Sequence, residues 1–370
     1  MRHKLAAAVG LPVVSWYETA DQVPSWPVAE TPYEDRAWML GWQDVRSEPV
    51  KESRFLHVTE GDENCVASLY LISGSQEWAL IESDAGMDSV WSGPVVYGPS
   101  PYSMYGGFGI ASPGMIQKVV EEGLAYTRDT GACALVFPGL REYQASRWLN
   151  AVPSGIAVRT PGSHQAPVHG SLEAFQEAIP TTHARREFRR QWRRGDEAGL
   201  RLDILPGHEM EDMLGQFSQL VESVCIKNGT PGMLGEDVFR IAMGVPGAVM
   251  LAARHERQRL AGACLCFARG DTFYGWVVAI DYDTLPELHT YGWLMSEVVR
   301  HAATLGIGTV DFGRGNYRYK RRLGFATIPL SALVYLTHPD KDLADALTDI
   351  GSRISSIESA GDTYHASLAS

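Results

Sequence analysis

The order of the predicted elements indicates an α+β fold made of two similar halves. In the second half a strand, two helices, three consecutive strands, a long helix and another strand follow one another, an order typical of antiparallel sheets that carry helices. The first half contains a weaker copy of part of this order. The chain also has 370 residues, more than a single hydrophobic core usually holds, so two domains are expected.

Apolar spacing predicts each element of the second half in turn. The segment LRLDIL predicts a strand, and apolar residues at helical intervals then predict a helix over about residues 207–226. A loop and a short helix lead to three strands separated by turn-like residues. A helix from about Glu287 to Leu305 precedes the strand TVDF, and a strand and a helix from about Lys341 close the chain.

The first half repeats the helix–glycine–strand part of this pattern. The segment EEGLAYTRDTGACALVFPG aligns with SEVVRHAATLGIGTVDFGR, so that Gly131 meets Gly306 and Phe137 meets Phe312. We interpret this as a duplicated domain; the alternative is that two unrelated units of this kind look alike. The predicted division is an N-terminal lobe over residues 1–170, a basic connector helix over 171–198 and a C-terminal domain over 199–370.

The composition is that of a globular protein with a substantial core. Hydrophobic residues make up 45% and charged residues 21%, and no apolar window is long enough to span a membrane. The five cysteines include no C-x-x-C pair, so neither a disulfide framework nor a metal site is expected. Basic residues and an alanine-rich stretch at the N-terminus resemble a signal peptide, but Gly10 and Pro12 interrupt it, and a cytoplasmic protein is expected.

Two basic segments stand out from a chain whose net charge is -12. Residues 183–194 carry six arginines and one glutamate, and residues 311–325 carry five cations and one aspartate. Such clusters commonly bind an anion, although a solvated face that pairs with the acidic body is the alternative. In a helix, Ala184, Phe188 and Trp192 form an apolar row beside two rows of arginines. The arginines are Arg185, Arg186, Arg189, Arg190, Arg193 and Arg194.

The segment DFGRGNYRYKRRLGF, residues 311–325, carries a family likeness. Together with the three strands, the long helix and the segment HARREFRRQWRR, it resembles the C-terminal GNAT-like domain of the Fem-type acyltransferases, including FemAB-like and BioF2-like members. The resemblance covers about residues 181–325, and for the first half it rests on the duplication. It implies tandem GNAT-like domains with mixed sheets flanked by helices.

The resemblance implies one candidate catalytic residue, and the end of the strand TVDF provides two more. Lys320 corresponds to a lysine that faces the transferred group and its phosphate-bearing carrier. Arg314, at a strand end, supplies charge for an oxyanion or a phosphate. Asp311 is a candidate proton acceptor, or alternatively it satisfies backbone N–H groups in the turn. The candidate donor-binding residues are Gly313, Gly315, Tyr317, Tyr319, Arg321 and Arg322.

The donor is expected to be an aminoacyl-tRNA. A CoA-dependent GNAT enzyme has a glycine-rich loop at the start of the long helix, where backbone N–H groups bind pyrophosphate, whereas this sequence has ELHTYGWL with Gly292 alone. The six arginines of the connector are then the candidate tRNA-binding residues. No resident cofactor is expected. Acyl-CoA as the co-substrate and a non-catalytic binding protein are the two alternatives.

The acceptor is expected in a cleft between the halves. The stretch YGPSPYSMYGGFG offers the rings and hydroxyls of Tyr102 and Tyr105, and the NGTPG loop offers Asn228 and Thr230. A purely structural loop is the alternative for the first stretch. No P-loop, nucleophile elbow or zinc-binding helix motif is present, which excludes the common hydrolases and kinases. The expected activity is N-acylation of a peptide-like or small-molecule amine, and the sequence indicates no oligomeric state.

Overall fold

The computed structural model of the chain describes residues 11–42, 45, 50–100, 102–108, 111–227, 229, 232, 234–255 and 259–360. Within these residues one mixed sheet contains twelve strands, and helices pack on both of its faces. The strands are β1 (Val13–Tyr17), β2 (Val50–Glu60), β3 (Glu63–Ile72), β4 (Val95–Tyr97), β5 (Ala134–Arg141), β6 (Ile156–Pro167), β7 (Arg201–Pro206), β8 (Ala248–His255), β9 (Arg259–Arg269), β10 (Thr272–Ile280), β11 (Thr309–Asp311) and β12 (Ala326–Leu336). The helices are α1 (Arg36–Gly41), α2 (Gln76–Asp84), α3 (Pro113–Asp129), α4 (Glu142–Ala151), α5 (Leu172–Ala178), α6 (Thr182–Glu197), α7 (Glu211–Lys227), α8 (Glu236–Met243), α9 (Leu285–Leu288), α10 (Thr290–Thr304), α11 (Tyr317–Arg322) and α12 (Lys341–Ala360).

Corresponding strands of the two halves lie at equal distances from the two edges of the sheet. The strand order is β1-β2-β3-β4-β5-β12-β6-β11-β10-β9-β8-β7. In each half the fourth and fifth strands are parallel, β4 with β5 and β10 with β11. The last strand of each half lies beside the fifth strand of the other, and β6 and β12 pair antiparallel at the centre. The two halves therefore exchange their final strands.

The tandem arrangement expected from the sequence agrees with this order. The aligned glycines Gly131 and Gly306 both follow a helix and have φ angles of 70° and 71°, the left-handed conformation that ends helices. The division of the chain at residues 170 and 198 stays a prediction. Because β6 and β12 each complete the sheet of the opposite half, the halves share hydrogen-bonded neighbours at their boundary.

The elements predicted in the second half are present, with shifted ends. The arginine-rich segment forms α6, and the last helix begins at Lys341 as expected. The helix predicted from Glu287 to Leu305 is divided into α9 and α10, because His289 between them has a φ of 52°. No helix in the described part of the chain is long and apolar enough to cross a bilayer.

One face of the sheet, here the shared face, carries a hydrophobic core that runs across both halves. The helices α1, α2, α7, α8 and α12 contribute to it. Trp38 of α1 packs edge-on against Phe267 of β9 and Trp276 of β10, with ring centroids 6.1 and 5.1 Å apart. On the opposite, divided face, α3 and α4 cover the first half while α5, α6 and α10 cover the second.

A loop fills the opening beyond the parallel pair of the first half. Pairing of β4 with β5 ends at Tyr97 and Val136, and the backbone then bends at Gly98 and Pro99. The amide of Gly106 donates to the carbonyl of Gly139 at 2.9 Å. A side chain at Gly106 would overlap the carbonyl oxygen of Pro138. Glycine is thus required for this close approach of two backbone segments.

Replacing Gly106 with alanine is expected to lower the free energy of unfolding by about 1–3 kcal/mol, because the added methyl group has no space. Urea denaturation measures the change. Gly74→Ala is the matched control, since nothing lies within 4 Å of its Cβ position, and a change within about 0.5 kcal/mol is expected there. Equal effects of the two substitutions would contradict the tight fit.

Candidate active site

Beyond the parallel pair of the second half, the two strands separate. Pairing of β10 with β11 ends at Tyr274 and Asp311; β10 then continues along β9 to Ile280 with an irregularity after Gly275. A cavity of about 290 Å³ lies at this separation on the shared face. Residues of both halves line the cavity. They include Glu77, Asp84 and Tyr102 of the first half and Trp276, Arg314 and Tyr317 of the second.

The turn between β11 and α11 forms one wall of the cavity. Gly313 and Gly315 have φ angles of 60° and 79°, which favour glycine. A Cβ at Gly313 would lie 2.8 Å from the sulfur of Met104. The two glycines therefore shape the turn. Their contact with a donor stays a prediction.

Asp311 joins the turn to the first half. Its carboxylate is buried and accepts hydrogen bonds from the Tyr105 hydroxyl, from the Ser163 hydroxyl at 2.6 Å and from the Gln165 amide at 2.9 Å. It also accepts one from the Gly313 backbone N–H at 2.8 Å. Four donors thus hold this carboxylate, which matches the structural role considered for it. Its role as a proton acceptor stays a prediction.

Lys320 holds the turn from inside the protein. The residue is only 3% exposed, and its ammonium group donates to the carbonyls of Phe312, Gly313 and Arg314, the last two at 3.0 and 2.9 Å. Burial lowers the pKa of this ammonium to about 7, and the charge of Asp311 opposes that shift. All three ammonium hydrogens therefore form hydrogen bonds with backbone carbonyl groups. The contact between Lys320 and a transferred group stays a prediction.

Arg314 lies in the cavity wall and pairs with a carboxylate from the other half. Its Nη1 forms an ion pair with Oε1 of Glu77, and its Nη2 lies 3.4 Å from the carbonyl oxygen of Met104. Burial raises the pKa of Glu77, while the charge of Arg314 opposes the shift. The remaining Glu77 oxygen, Oε2, is buried and has no hydrogen-bond partner among the described residues.

The short helix α11 presents different side chains to the two faces of the sheet. Tyr317 is buried on the shared face, where it lines the cavity. Tyr319 lies on the divided face, where its hydroxyl donates to Oε1 of Gln191 at 3.0 Å and its ring packs on Tyr291. Arg321 donates to the carbonyl of Glu358 at the end of α12. Tyr319 and Arg321 therefore contact neighbouring helices instead of the cavity.

The arginine-rich helix α6 has the expected amphipathic arrangement. Ala184 and Phe188 are buried, and the arginines are half-buried or exposed. Three carboxylates pair with four of the six arginines, so positive charge remains in excess. The pairs are Arg185 and Arg189 with Glu177, Arg190 with Glu187, and Arg193 with Glu197.

The two basic segments meet on the divided face. Tyr319 of α11 contacts Gln191 of α6, and Arg194 Nη1 lies 3.4 Å from Nε2 of His289 at the start of α10. The hydrogen bond from Arg190 holds the pKa of Glu187 below its usual range, and the nearby charge of Arg322 adds to this effect. We call the exposed arginines of α6 and α11 the basic surface. They are Arg186, Arg190, Arg193, Arg194, Arg318 and Arg322.

The residues predicted to bind the acceptor lie in different places. Tyr102 lines the cavity and packs on Trp42, with ring centroids 5.2 Å apart. Tyr105 is buried against Asp311 and is not a lining residue. Asn228 and Thr230 lie outside the described residues. The cavity lies between the halves, and the binding of an acceptor in it stays a prediction.

Sequence reasoning missed the contribution of helix α2. Its segment QEWALIESD has no motif, yet it provides Glu77 and Asp84 to the cavity. The spacing of seven residues, which is close to two helical turns, could have indicated that both carboxylates lie on one helix face. No local pattern could have paired Glu77 with Arg314, because 237 residues separate them.

Comparison with known proteins gives the same fold. Residues 182–321 match the model of a family described as an acetyltransferase (GNAT) domain. A search of curated proteins finds no match. Among solved structures, FemX is similar with 11% identity and a TM-score of 0.52, covering 77% of this chain and 88% of that one.

Two further solved structures are similar to this chain to about the same degree as FemX. L-PGS from Bacillus licheniformis has 10% identity and a TM-score of 0.51, with 77% of this chain and 86% of that chain covered. The C-terminal domain of a protein named as a lysylphosphatidylglycerol synthetase in Agrobacterium fabrum has 13% identity and a TM-score of 0.52, covering 76% and 84%. These identities show a common fold. The GNAT-like fold and the acyltransferase class expected from the sequence are confirmed: residues 182–321 match the model of a GNAT acetyltransferase domain, and the chain shares its fold with FemX and L-PGS.

Proposed function

We propose that the protein transfers an aminoacyl group from a charged tRNA to an amine bound in the cavity beside Arg314. The observation that carries the proposal is the position of this cavity. It lies where the parallel strands β10 and β11 of the GNAT domain separate, and side chains of both halves close it. An acceptor in this cavity would touch the turn that carries Arg314, and a fixed cation there can stabilise the oxyanion formed during acyl transfer.

The basic surface supports an anionic carrier for the acyl group. It combines six exposed arginines from α6 and α11 on the divided face, while the cavity lies on the shared face. Helix α11 reaches both faces through Tyr319 and Tyr317. A carrier on the basic surface would therefore bring its acyl group to α11 and to the turn. Positioning of this kind can provide much of the rate when the donor is an activated ester.

The donor is tested by incubating the protein with charged tRNA and a panel of amines, with and without ribonuclease. Amide formation that ribonuclease abolishes is the expected result. Activity that ribonuclease leaves unchanged, together with transfer from acyl-CoA, would replace tRNA by CoA as the donor. Transfer from neither donor to any amine in the panel, with binding of tRNA retained, would favour a non-catalytic binding protein.

The double substitution of Arg190 and Arg322 by alanine is expected to weaken the binding of every tRNA to the same extent, whatever its sequence. The slope of log affinity against log salt concentration should fall by about one for each phosphate that the protein no longer neutralises. A salt titration of binding measures it. Arg240→Ala is the control, because Arg240 is exposed on α8, where it pairs with Glu211 and Glu236. An unchanged slope in the double variant would remove the basic surface from the proposal.

Replacing Lys320 with methionine is expected to lower the free energy of unfolding by roughly 2 kcal/mol or more, because three backbone carbonyls lose a charged donor. Transfer should fall at least about tenfold, since the turn that carries Arg314 is released. Denaturation and initial rates measure the two effects, with exposed Lys341→Met as the control. A variant with full stability and no activity would instead place Lys320 in contact with the transferred group. Loss of neither property would contradict both roles.

A further inference from the structure

We propose that the acceptor is an apolar primary amine, which enters the cavity as an ammonium ion and transfers its proton to Glu77. This inference rests on the proposed acyl transfer and names the acceptor class and the base. Glu77 belongs to the first half and faces the turn of the second half through its ion pair with Arg314. It therefore lies where an acceptor bound between the halves would meet the turn.

The hydrogen bonding of Glu77 is incomplete. Its Oε1 accepts from Arg314, while its buried Oε2 lacks a partner within the described part of the chain. A buried carboxylate oxygen without a donor is costly, so a ligand that brings an N–H group is favoured at this position. An ammonium ion supplies such a donor, whereas a carboxylate or a phosphate does not.

The charges that line the cavity favour a cation. Glu77 and Asp84 are the lining carboxylates and Arg314 is the lining guanidinium, which gives a formal charge of -1. Burial also raises the pKa of Glu77 from its ordinary value. A carboxylate with a raised pKa is a more effective proton acceptor near neutral pH than a surface glutamate.

The other walls of the cavity are mainly apolar. Leu80 and Ile81 of α2 lie on one side, and Leu234, Trp276 and Val277 of the second half contribute further apolar surface. Ligand sites commonly combine such walls with a few polar groups that fix orientation. The substituent on the amine is therefore apolar, and its amino group lies at the Glu77 end.

The transfer begins when Glu77 takes one proton from the ammonium and becomes a neutral acid. The nitrogen lone pair then forms the C–N bond to the acyl carbon, and the carbonyl π electrons move to the oxygen beside Arg314. As this oxyanion collapses, the bond from the acyl carbon to the carrier oxygen breaks, and a second proton from nitrogen goes to that oxygen. Glu77 finally releases its proton to solvent. An ammonium and an ester thus give an amide, an alcohol and one free proton.

The first test compares wild type with Glu77→Gln in transfer to hexylamine. Loss of the base is expected to lower kcat by about 10²-fold or more. In wild type, kcat/KM should fall as the pH drops through the raised pKa of Glu77, because the base becomes protonated, and the variant should lack this acidic limb. Glu82→Gln is the matched control, since Glu82 is buried on the same helix, accepts from the Val90 N–H and does not line the cavity.

A neutral acceptor separates the proton-transfer role from a structural one. Hydroxylamine is already unprotonated at neutral pH, so the deficit of Glu77→Gln should largely disappear with it. A deficit that persists with hydroxylamine would overturn the role of Glu77 as base. The lower rate of Glu77→Gln could instead disappear only with a tRNA whose acyl group has no amino group. Glu77 would then bind the ammonium of the donor, and this result would also overturn the proposal.

The acceptor class can also be tested by measuring ligand binding, which does not require the enzyme to catalyse transfer. Hexylammonium is expected to raise the thermal midpoint of wild type but not of Glu77→Gln, whereas hexanoate should raise neither. Equal stabilisation of wild type by hexanoate would overturn the acceptor class. If hexylammonium binds as expected but no donor gives an amide, the acyl transfer fails while the amine site stands. If amides form equally well with wild type and Glu77→Gln, only the inference about Glu77 fails.

Discussion

The buried carboxylate of Asp311 holds the candidate site together. It accepts hydrogen bonds from the loop of the first half through Tyr105, from the exchanged strand β6 through Ser163 and Gln165, and from the turn through Gly313. A buried charge is stable only when such donors surround it. The two halves and the turn are therefore fixed to one another at this carboxylate.

The position of the cavity follows from these hydrogen bonds. Once Asp311 ends β11, the chain must turn, and Lys320 fixes that turn through three carbonyl groups. Arg314 is then held against Glu77 of the first half, with both residues at the cavity wall. The exchange of β6 and β12 strengthens the arrangement, because neither half can move without breaking strand pairs of the other.

The two halves differ at the same place in their sheets. In the first half the loop that follows β4 fills the opening beyond the parallel pair, with Gly106 against the backbone of Pro138 and Gly139. In the second half the corresponding opening forms the cavity beside Trp276 and Arg314. Of these two corresponding places, the one in the second half forms the cavity, and the loop of the first half also supplies Tyr102 to its wall.

Features that depend on neighbouring residues could be predicted before the fold was known. Gly131 and Gly306 end helices and the arginines of α6 follow the helical repeat, because both properties are local backbone or periodic effects. Which groups meet across the molecule could not be predicted in this way. The three carbonyl partners of Lys320, the strand exchange and the pairing of Arg314 with Glu77 depend on burial and on long-range packing, which local patterns do not encode.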